Sequence, residues 1–95
     1  MTGVTGAWRI DSVQVNAETV VDEGFDRLVV GPDRLSIEPA GIEFSVSQAT
    51  PKSAVLESRA QVFFAEYSKK DDRLTIELSR PAFREKVRLN ASLLA

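Results

Sequence analysis

Any catalysis in this chain would have to use carboxylates, lysine or tyrosine, because its 95 residues include no histidine and no cysteine. Without imidazole or thiolate, the chain alone can form neither a Ser-His-Asp triad nor a Cys-His pair. It also lacks the ligands of the common zinc sites. Glycosidase-type hydrolysis needs two carboxylates that face each other across a cleft, and no pair is placed in that way by its spacing. The sequence therefore predicts a protein that is not an enzyme and that uses no cofactor.

Two local groups of acidic residues are candidates for binding a hard cation: Asp22, Glu23 and Asp26, and the pair Asp71 and Asp72. Carboxylate oxygens are the ligands that calcium prefers. However, neither group has the spacing of a known calcium-binding loop. The favoured interpretation is solvated charge in turns, so we expect no metal site.

Positive charge near the end of the sequence suggests a basic face formed by Arg80, Arg84, Lys86 and Arg88. Such a face could bind an anion or a phosphate. On a strand, however, alternate charged residues normally face water, and Glu85 lies among them. The net charge of the chain is −2, which does not favour nucleic acid or an anionic membrane surface. We expect no nucleic-acid partner.

Length and composition are those of one globular domain covering residues 1–95. The hydrophobic share of 43% and the charged share of 27% are ordinary for such a domain. No uncharged run approaches the roughly 20 apolar residues of a membrane-spanning helix, so no membrane span is expected. Residues 1–6 lack the basic flank and the apolar stretch of a signal peptide. A cytoplasmic location is the default expectation, although a domain cut from an exported protein would look the same.

Short runs of alternating apolar and polar residues, separated by turn-forming residues, predict β-strands along most of the chain. These runs cover residues 7–15, 27–30, 35–38, 42–47, 62–67, 73–79 and 84–93. Two further segments leave alternatives open. Residues 16–26 could form a single helical turn, and irregular structure or a short strand is the favoured interpretation. Residues 53–59 could form a helix, and a strand is the favoured interpretation.

The strand pattern also predicts the architecture. About eight short strands recur roughly every ten residues, and no connection is long enough for a crossover helix, which favours an antiparallel meander. Closing the meander would remove its two exposed edges. We therefore predict an all-β fold, a small antiparallel up-and-down β-barrel in which the last strand lies beside the first. A β-sandwich is the alternative.

The first predicted strand changes phase along its length. Trp8 and Ile10 share one phase, whereas Val13 and Val15 share the other. Side chains alternate between the two faces of a strand, so a continuous strand would send these two pairs to opposite faces. The run therefore predicts a β-bulge or a bend, which closed barrels use to turn corners.

Gly6-Ala7-Trp8 at the head of the first strand, together with an arginine on the last strand, resembles the signature of the lipocalin (calycin) family. In that family the tryptophan closes one end of the barrel, and the late arginine lies across it. The resemblance therefore implies barrel closure by Trp8 and Arg88, in contact across the first and last strands. Such a cation–π contact would be worth about 1–2 kcal/mol.

A later part of the chain strengthens the resemblance. The run Asp72-Arg73-Leu74-Thr75-Ile76, followed by Ser79-Arg80-Pro81-Ala82-Phe83, is similar to a pattern of short bacterial lipocalin-like domains. The resemblance implies a lipocalin-like barrel that binds a small apolar ligand. The chain departs from the family in being much shorter than a typical ligand-carrying lipocalin.

Large apolar residues make up the predicted interior. They are Trp8, Ile10, Leu28, Val30, Leu35, Ile37, Ile42, Phe44, Val46, Leu56, Leu74, Ile76, Leu78, Val87 and Leu89. An eight-stranded barrel is just wide enough to be filled by its own side chains or to hold one small ligand. The favoured interpretation is a dry, filled core. The alternative is a small apolar cavity, with Phe44, Phe63, Tyr67 and Ile76 as the candidate ligand-binding residues.

Residues 62–67 are apolar in both phases of a strand, and they suggest a surface for a partner. Phe63 and Tyr67 share one face, whereas Val62 and Phe64 share the other, so the two faces cannot enter the same core. Either a neighbouring segment covers Val62 and Phe64, or they form an exposed patch, which usually marks an interface. The sequence thus leaves two functions: a module that binds a small apolar ligand, and a structural or protein-interaction domain with a filled core that forms a homodimer or binds another protein.

Overall fold

The computed structural model describes residues 3–80 and 84–94, and in these ranges the chain forms strands and turns. The strands are β1 (Gly6–Val15), β2 (Glu18–Val20), β3 (Phe25–Val30), β4 (Arg34–Pro39), β5 (Ile42–Ala49), β6 (Ser53–Ser58), β7 (Gln61–Lys70), β8 (Arg73–Arg80) and β9 (Glu85–Leu93). No helix in the described ranges has the length and apolar character needed to cross a membrane. Pro81, Ala82 and Phe83, which belong to the lipocalin-like pattern, lie outside the described residues.

The strands form one antiparallel sheet that closes on itself. Consecutive strands pair with each other from β3 to β9, and β1 pairs with β3 on one side and with β9 on the other. The predicted small up-and-down antiparallel β-barrel is therefore confirmed, and the alternative β-sandwich is not formed. The short strand β2 pairs with β1 and is additional to this ring of eight strands.

β1 bends where its sequence changes phase. Residues 6–9 pair with β3, whereas residues 13–15 pair with β2. On the other side of β1, the register with β9 shifts between Ile10 and Ser12. This irregularity allows Ile10 and Val13, which are separated by an odd number of positions, to face the same interior. The predicted β-bulge is confirmed.

Two tight hairpins depend on residues with positive φ. Asn16 and Ala17 join β1 to β2, and Arg59 and Ala60 join β6 to β7, with φ angles between 50° and 69°. Two consecutive residues with positive φ are typical of a type I′ turn, whose twist matches that of the flanking strands. The second hairpin decides the open alternative for residues 53–59, because β6 is a strand and not a helix.

The core fills the middle of the barrel. Every residue predicted for the interior is buried, apart from Ile42, Val46 and Val87, which are partly buried and pack against the buried cluster. Nine large side chains expose less than 2% of their surface: Trp8, Leu28, Val30, Leu35, Ile37, Leu56, Leu74, Ile76 and Leu89. Complete burial of one such side chain contributes about 1.5–3 kcal/mol. Side chains packed against one another therefore occupy the middle of the barrel.

Candidate functional site

An apolar pocket, which we call the mouth pocket, lies at the end of the barrel where β3, β5 and β9 begin and β8 ends. Its volume is about 190 Å³. Its described apolar lining residues are Phe25, Ile37, Ile42, Phe44, Phe63, Leu78 and Val87, and its described polar lining residues are Ser58, Ser79, Arg80 and Glu85. Apolar and aromatic walls with a few polar groups are typical of small-molecule sites, although sites for drug-sized ligands are larger, about 300–1,000 Å³.

The pocket forms because its side chains stand at the ends of strands. Phe25 is the first residue of β3, and Ile42 is the first residue of β5. In the middle of the barrel each layer of inward side chains is covered by another layer on both sides. At the end, one of these covering layers is missing. Phe25, Ile42 and Phe63 are therefore partly exposed, whereas Phe44, one layer deeper, is buried.

The aromatic rings of Phe44 and Phe63 define part of the pocket wall. Their centroids are 5.2 Å apart and their planes meet at 84°, which is the edge-to-face arrangement that aromatic quadrupoles favour. The guanidinium carbon of Arg80 lies 5.5 Å from the centroid of the Phe63 ring, within cation–π range. Phe63 thus contacts a second ring and a cation, and both contacts restrict its orientation.

Arg80 brings a charged group to the rim of this apolar pocket. Its Nη1 donates to Oε1 of Gln61 at 2.9 Å. Its Nη2 lies 3.5 Å from Oε1 of Glu85, the residue directly opposite on β9. Neighbouring strands and the Phe63 ring therefore hold the guanidinium at the pocket rim.

The predicted basic face is wrong in one respect, because Arg80 does not share a face with Lys86 and Arg88. The latter two point outward, and their charged groups lie 3.9 and 3.1 Å from the carboxylate of Glu77. Arg80 instead continues the inward phase of β8. The sequence contained this signal, because Leu74, Ile76 and Leu78 alternate with polar residues, and Arg80 is the next residue in the same phase.

The four candidate ligand-binding residues are not brought together. Phe44 and Phe63 line the mouth pocket, but Tyr67 and Ile76 are not among its lining residues. Ile76 is completely buried in the filled middle of the core. Tyr67 is also buried, and its hydroxyl donates to the carbonyl oxygen of Thr50. Burial raises the pKa of the Tyr67 phenol above its ordinary value.

The expected contact between Trp8 and Arg88 is wrong. The two strands do pair, but Trp8 lies opposite Leu93, whereas Arg88 lies opposite Gln14. In addition, Trp8 points into the core and Arg88 points to the outside. Trp8 instead donates from Nε1 to the carbonyl oxygen of Val4 at 3.0 Å. This bond satisfies the buried indole N–H, and it ties the segment before β1 to the barrel.

Val62 and Phe64 form part of an exposed apolar surface. They expose 48% and 46% of their surfaces on the outer face of β7. Val55, which is partly exposed, lies opposite Phe64 on β6. We call these three residues the outer patch. Glu57 on β6 lies opposite Val62, and Glu66 lies two positions beyond Phe64 on β7. The patch is therefore bordered by negative charge.

The described part of the chain contains no group of three or more carboxylates close enough to hold a metal ion. A larger surface groove, of about 530 Å³, includes Lys52, Glu66, Glu77 and Arg88 in its lining. It is open and lined by charged and hydroxyl-bearing residues. Its charged groups are partly paired with one another, because Arg88 contacts Glu77. Among the described depressions, the mouth pocket therefore has the most suitable walls for an apolar ligand.

Comparison with protein-family models, curated proteins and solved structures finds no match. The lipocalin-like resemblance of Gly6-Ala7-Trp8 therefore stays a prediction. The function of the barrel has to be inferred from the shape and chemistry of its own surface.

Proposed function

We propose that this protein is a non-enzymatic binding domain that holds a small apolar ligand in the mouth pocket. The observation that carries the proposal is a pocket of about 190 Å³ walled by the rings of Phe25, Phe44 and Phe63. An apolar cavity of about 150 Å³ is enough to bind benzene in another protein. The mouth pocket therefore matches a ligand with one ring or a short branched chain.

The filled core supports the same size limit. Because Leu35 and Leu56 are completely buried in the middle of the barrel, a ligand cannot extend far inward without displacing them. A ligand of this size makes few contacts, and the best small ligands gain at most about 1.5 kcal/mol per non-hydrogen atom. We expect a dissociation constant for an uncharged hydrocarbon in the range of about 0.1–1 mM.

Toluene titrated into the native protein tests the proposal, with backbone amide shifts as the readout. We expect saturable shifts confined to the pocket lining, including Phe44 and Phe63. The variant Ser58→Phe places a ring in the pocket from its rim and should weaken toluene binding at least about tenfold. The control Ser68→Phe adds the same ring at an exposed position of β7 and should bind like the wild type. Shifts spread over the whole molecule, or unchanged binding by Ser58→Phe, would contradict the proposal.

A second candidate function, a protein-interaction domain, is favoured by the outer patch. Val55, Val62 and Phe64 lie on adjacent strands, so their side chains form one continuous apolar surface. Burying this surface against a second copy of the chain would remove it from water. Exposed apolar patches usually mark such interfaces. On this hypothesis the wild-type protein forms a homodimer as its concentration rises.

Sedimentation of the variant Phe64→Lys tests this second candidate. A lysine in the middle of the outer patch should abolish the concentration-dependent dimer, because burying an ammonium group against the apolar side chains of the second copy is strongly unfavourable. Val21→Lys is the matched control, since Val21 is an almost fully exposed apolar residue away from the patch. It should leave association unchanged. The interaction hypothesis fails if Phe64→Lys and the wild type have the same oligomeric state and solubility.

A further inference from the structure

We propose that the mouth pocket selects ligands that carry one carboxylate group, and that Arg80 binds this group. The inference rests on the proposed function, because it concerns the same pocket. It specifies the ligand class as a small aromatic or branched apolar group with a single carboxylate. In the bound state the apolar group would lie against Phe44 and Phe63, and the carboxylate would lie at the rim.

The position of Arg80 supports an anion at the rim. The side chain exposes 25% of its surface, so its guanidinium is at the boundary between the apolar pocket and water. The Phe63 ring and the amide oxygen of Gln61, at 2.9 Å from Nη1, restrict its motion. An arginine that is already ordered loses little further entropy when it binds a carboxylate. Its planar fork also matches the two oxygens of that group.

Glu85 occupies the place that a ligand carboxylate would take. Its Oε1 lies 3.5 Å from Nη2 of Arg80, longer than the 2.7–2.9 Å of a tight charge-assisted hydrogen bond. The Glu85 side chain exposes 42% of its surface, so its carboxylate can move into water at low cost. We infer that an incoming carboxylate displaces Glu85 from Arg80. The charge of the ligand is then paired with the guanidinium, and the charge of Glu85 is solvated by water.

The charge balance of the pocket explains why one carboxylate is preferred. Arg80 and Glu85 are the charged groups in the described lining, and their charges cancel. A cationic ligand would be repelled by Arg80. A second carboxylate on the ligand would lie against the apolar wall without a partner, which is costly. A single carboxylate releases Glu85 to water and replaces it on Arg80.

Binding of phenylacetate and of toluene to four proteins tests the inference, with amide shifts of the pocket as the readout. The wild type should bind phenylacetate roughly tenfold more tightly than toluene, a typical gain for a charge-assisted hydrogen bond. Arg80→Gln should remove this preference, so that phenylacetate and toluene bind to the variant about equally. Glu85→Gln removes the competing carboxylate and should tighten phenylacetate binding by about three- to tenfold relative to toluene binding. Arg88→Gln, a matched loss of one positive charge on the outer face, should behave as the wild type.

The outcomes separate this inference from the proposed function. If toluene binds but phenylacetate binds equally to the wild type and to Arg80→Gln, the carboxylate inference is overturned and the apolar pocket stands. If neither probe binds to the wild type, both are overturned. If Arg80→Gln does not fold, Glu85→Gln decides alone: tighter phenylacetate binding supports the inference, and unchanged or weaker binding overturns it. An equal effect of Arg88→Gln and Arg80→Gln would assign the preference to overall charge and overturn it as well.

Discussion

Replacing Trp8 by alanine is expected to lower the free energy of unfolding by about 3–5 kcal/mol, the usual cost of removing a large buried aromatic side chain. A domain of 95 residues has a total stability of roughly 5–14 kcal/mol. The variant therefore loses a large part of its stability, or all of it. The loss has two sources, a cavity beside Leu28 and the loss of the indole N–H that bonds to Val4.

Urea unfolding followed by far-UV circular dichroism measures this effect, because the variant lacks the only tryptophan of the chain. Trp8→Phe is the control that keeps a ring in the core but loses the hydrogen bond to Val4. Its expected cost is smaller, about 1–3 kcal/mol. A loss below about 1 kcal/mol for Trp8→Ala would show that Trp8 does not have the packing described for it.

The second large effect is expected for Leu89→Ala, at the seam where the barrel closes. Leu89 lies opposite Ile76 on β8 and opposite Val13 on β1, and none of its surface is exposed. Truncating a leucine at such a position costs about 2–5 kcal/mol. Because the cavity lies between the first and last strands, the amide hydrogens of β1 and β9 should also exchange faster than in the wild type.

Leu93→Ala provides the matched comparison. It is the same substitution on the same strand, but Leu93 exposes 41% of its surface, so the expected cost is below about 1 kcal/mol. Denaturant midpoints and amide exchange of the two variants can be measured side by side. Equal losses in both, or an unchanged seam in Leu89→Ala, would contradict closure of the barrel by a buried contact at Leu89.

The interior could be predicted residue by residue because a strand has a period of two. Once one inward position of a strand is known, such as Leu74 on β8, every second residue from it also points inward. This holds regardless of which strand lies beside it. The same period placed the bulge in β1, since Ile10 and Val13 could not otherwise face one core. It also placed Arg80 inward, and that consequence was overlooked because charged residues on strands normally face water.

The Trp8–Arg88 contact could not be predicted in the same way. Pairing of the first and last strands follows from closure of the meander, but the register depends on where the bulge lies and how the strands stagger around the barrel. The observed register places Trp8 opposite Leu93, five positions beyond Arg88. A pattern within one strand carries no information on such an offset, because alternation is unchanged when two strands slide by two residues.

The outer patch and the mouth pocket show the same division between local and tertiary information. The sequence indicated that Val62 and Phe64 oppose the core face of β7, and the structure decided that they are exposed. It indicated Phe44 and Phe63 as inward residues, and the structure decided that they stand near an uncovered end of the barrel. Covering depends on which segments reach over a side chain, and these segments are distant in sequence.

The sequence by itself thus determined the all-β class, the barrel, the bulge and the composition of the core, because these properties depend on alternation, turn residues and chain length. Only the tertiary structure decided what lies at each end of the barrel. The stagger of the strands puts Tyr67 and Ile76 outside the mouth pocket and sets Arg80 against Glu85 and Phe63. The candidate site is therefore a product of strand register, which is set by packing around the closed barrel and is not encoded in any single strand.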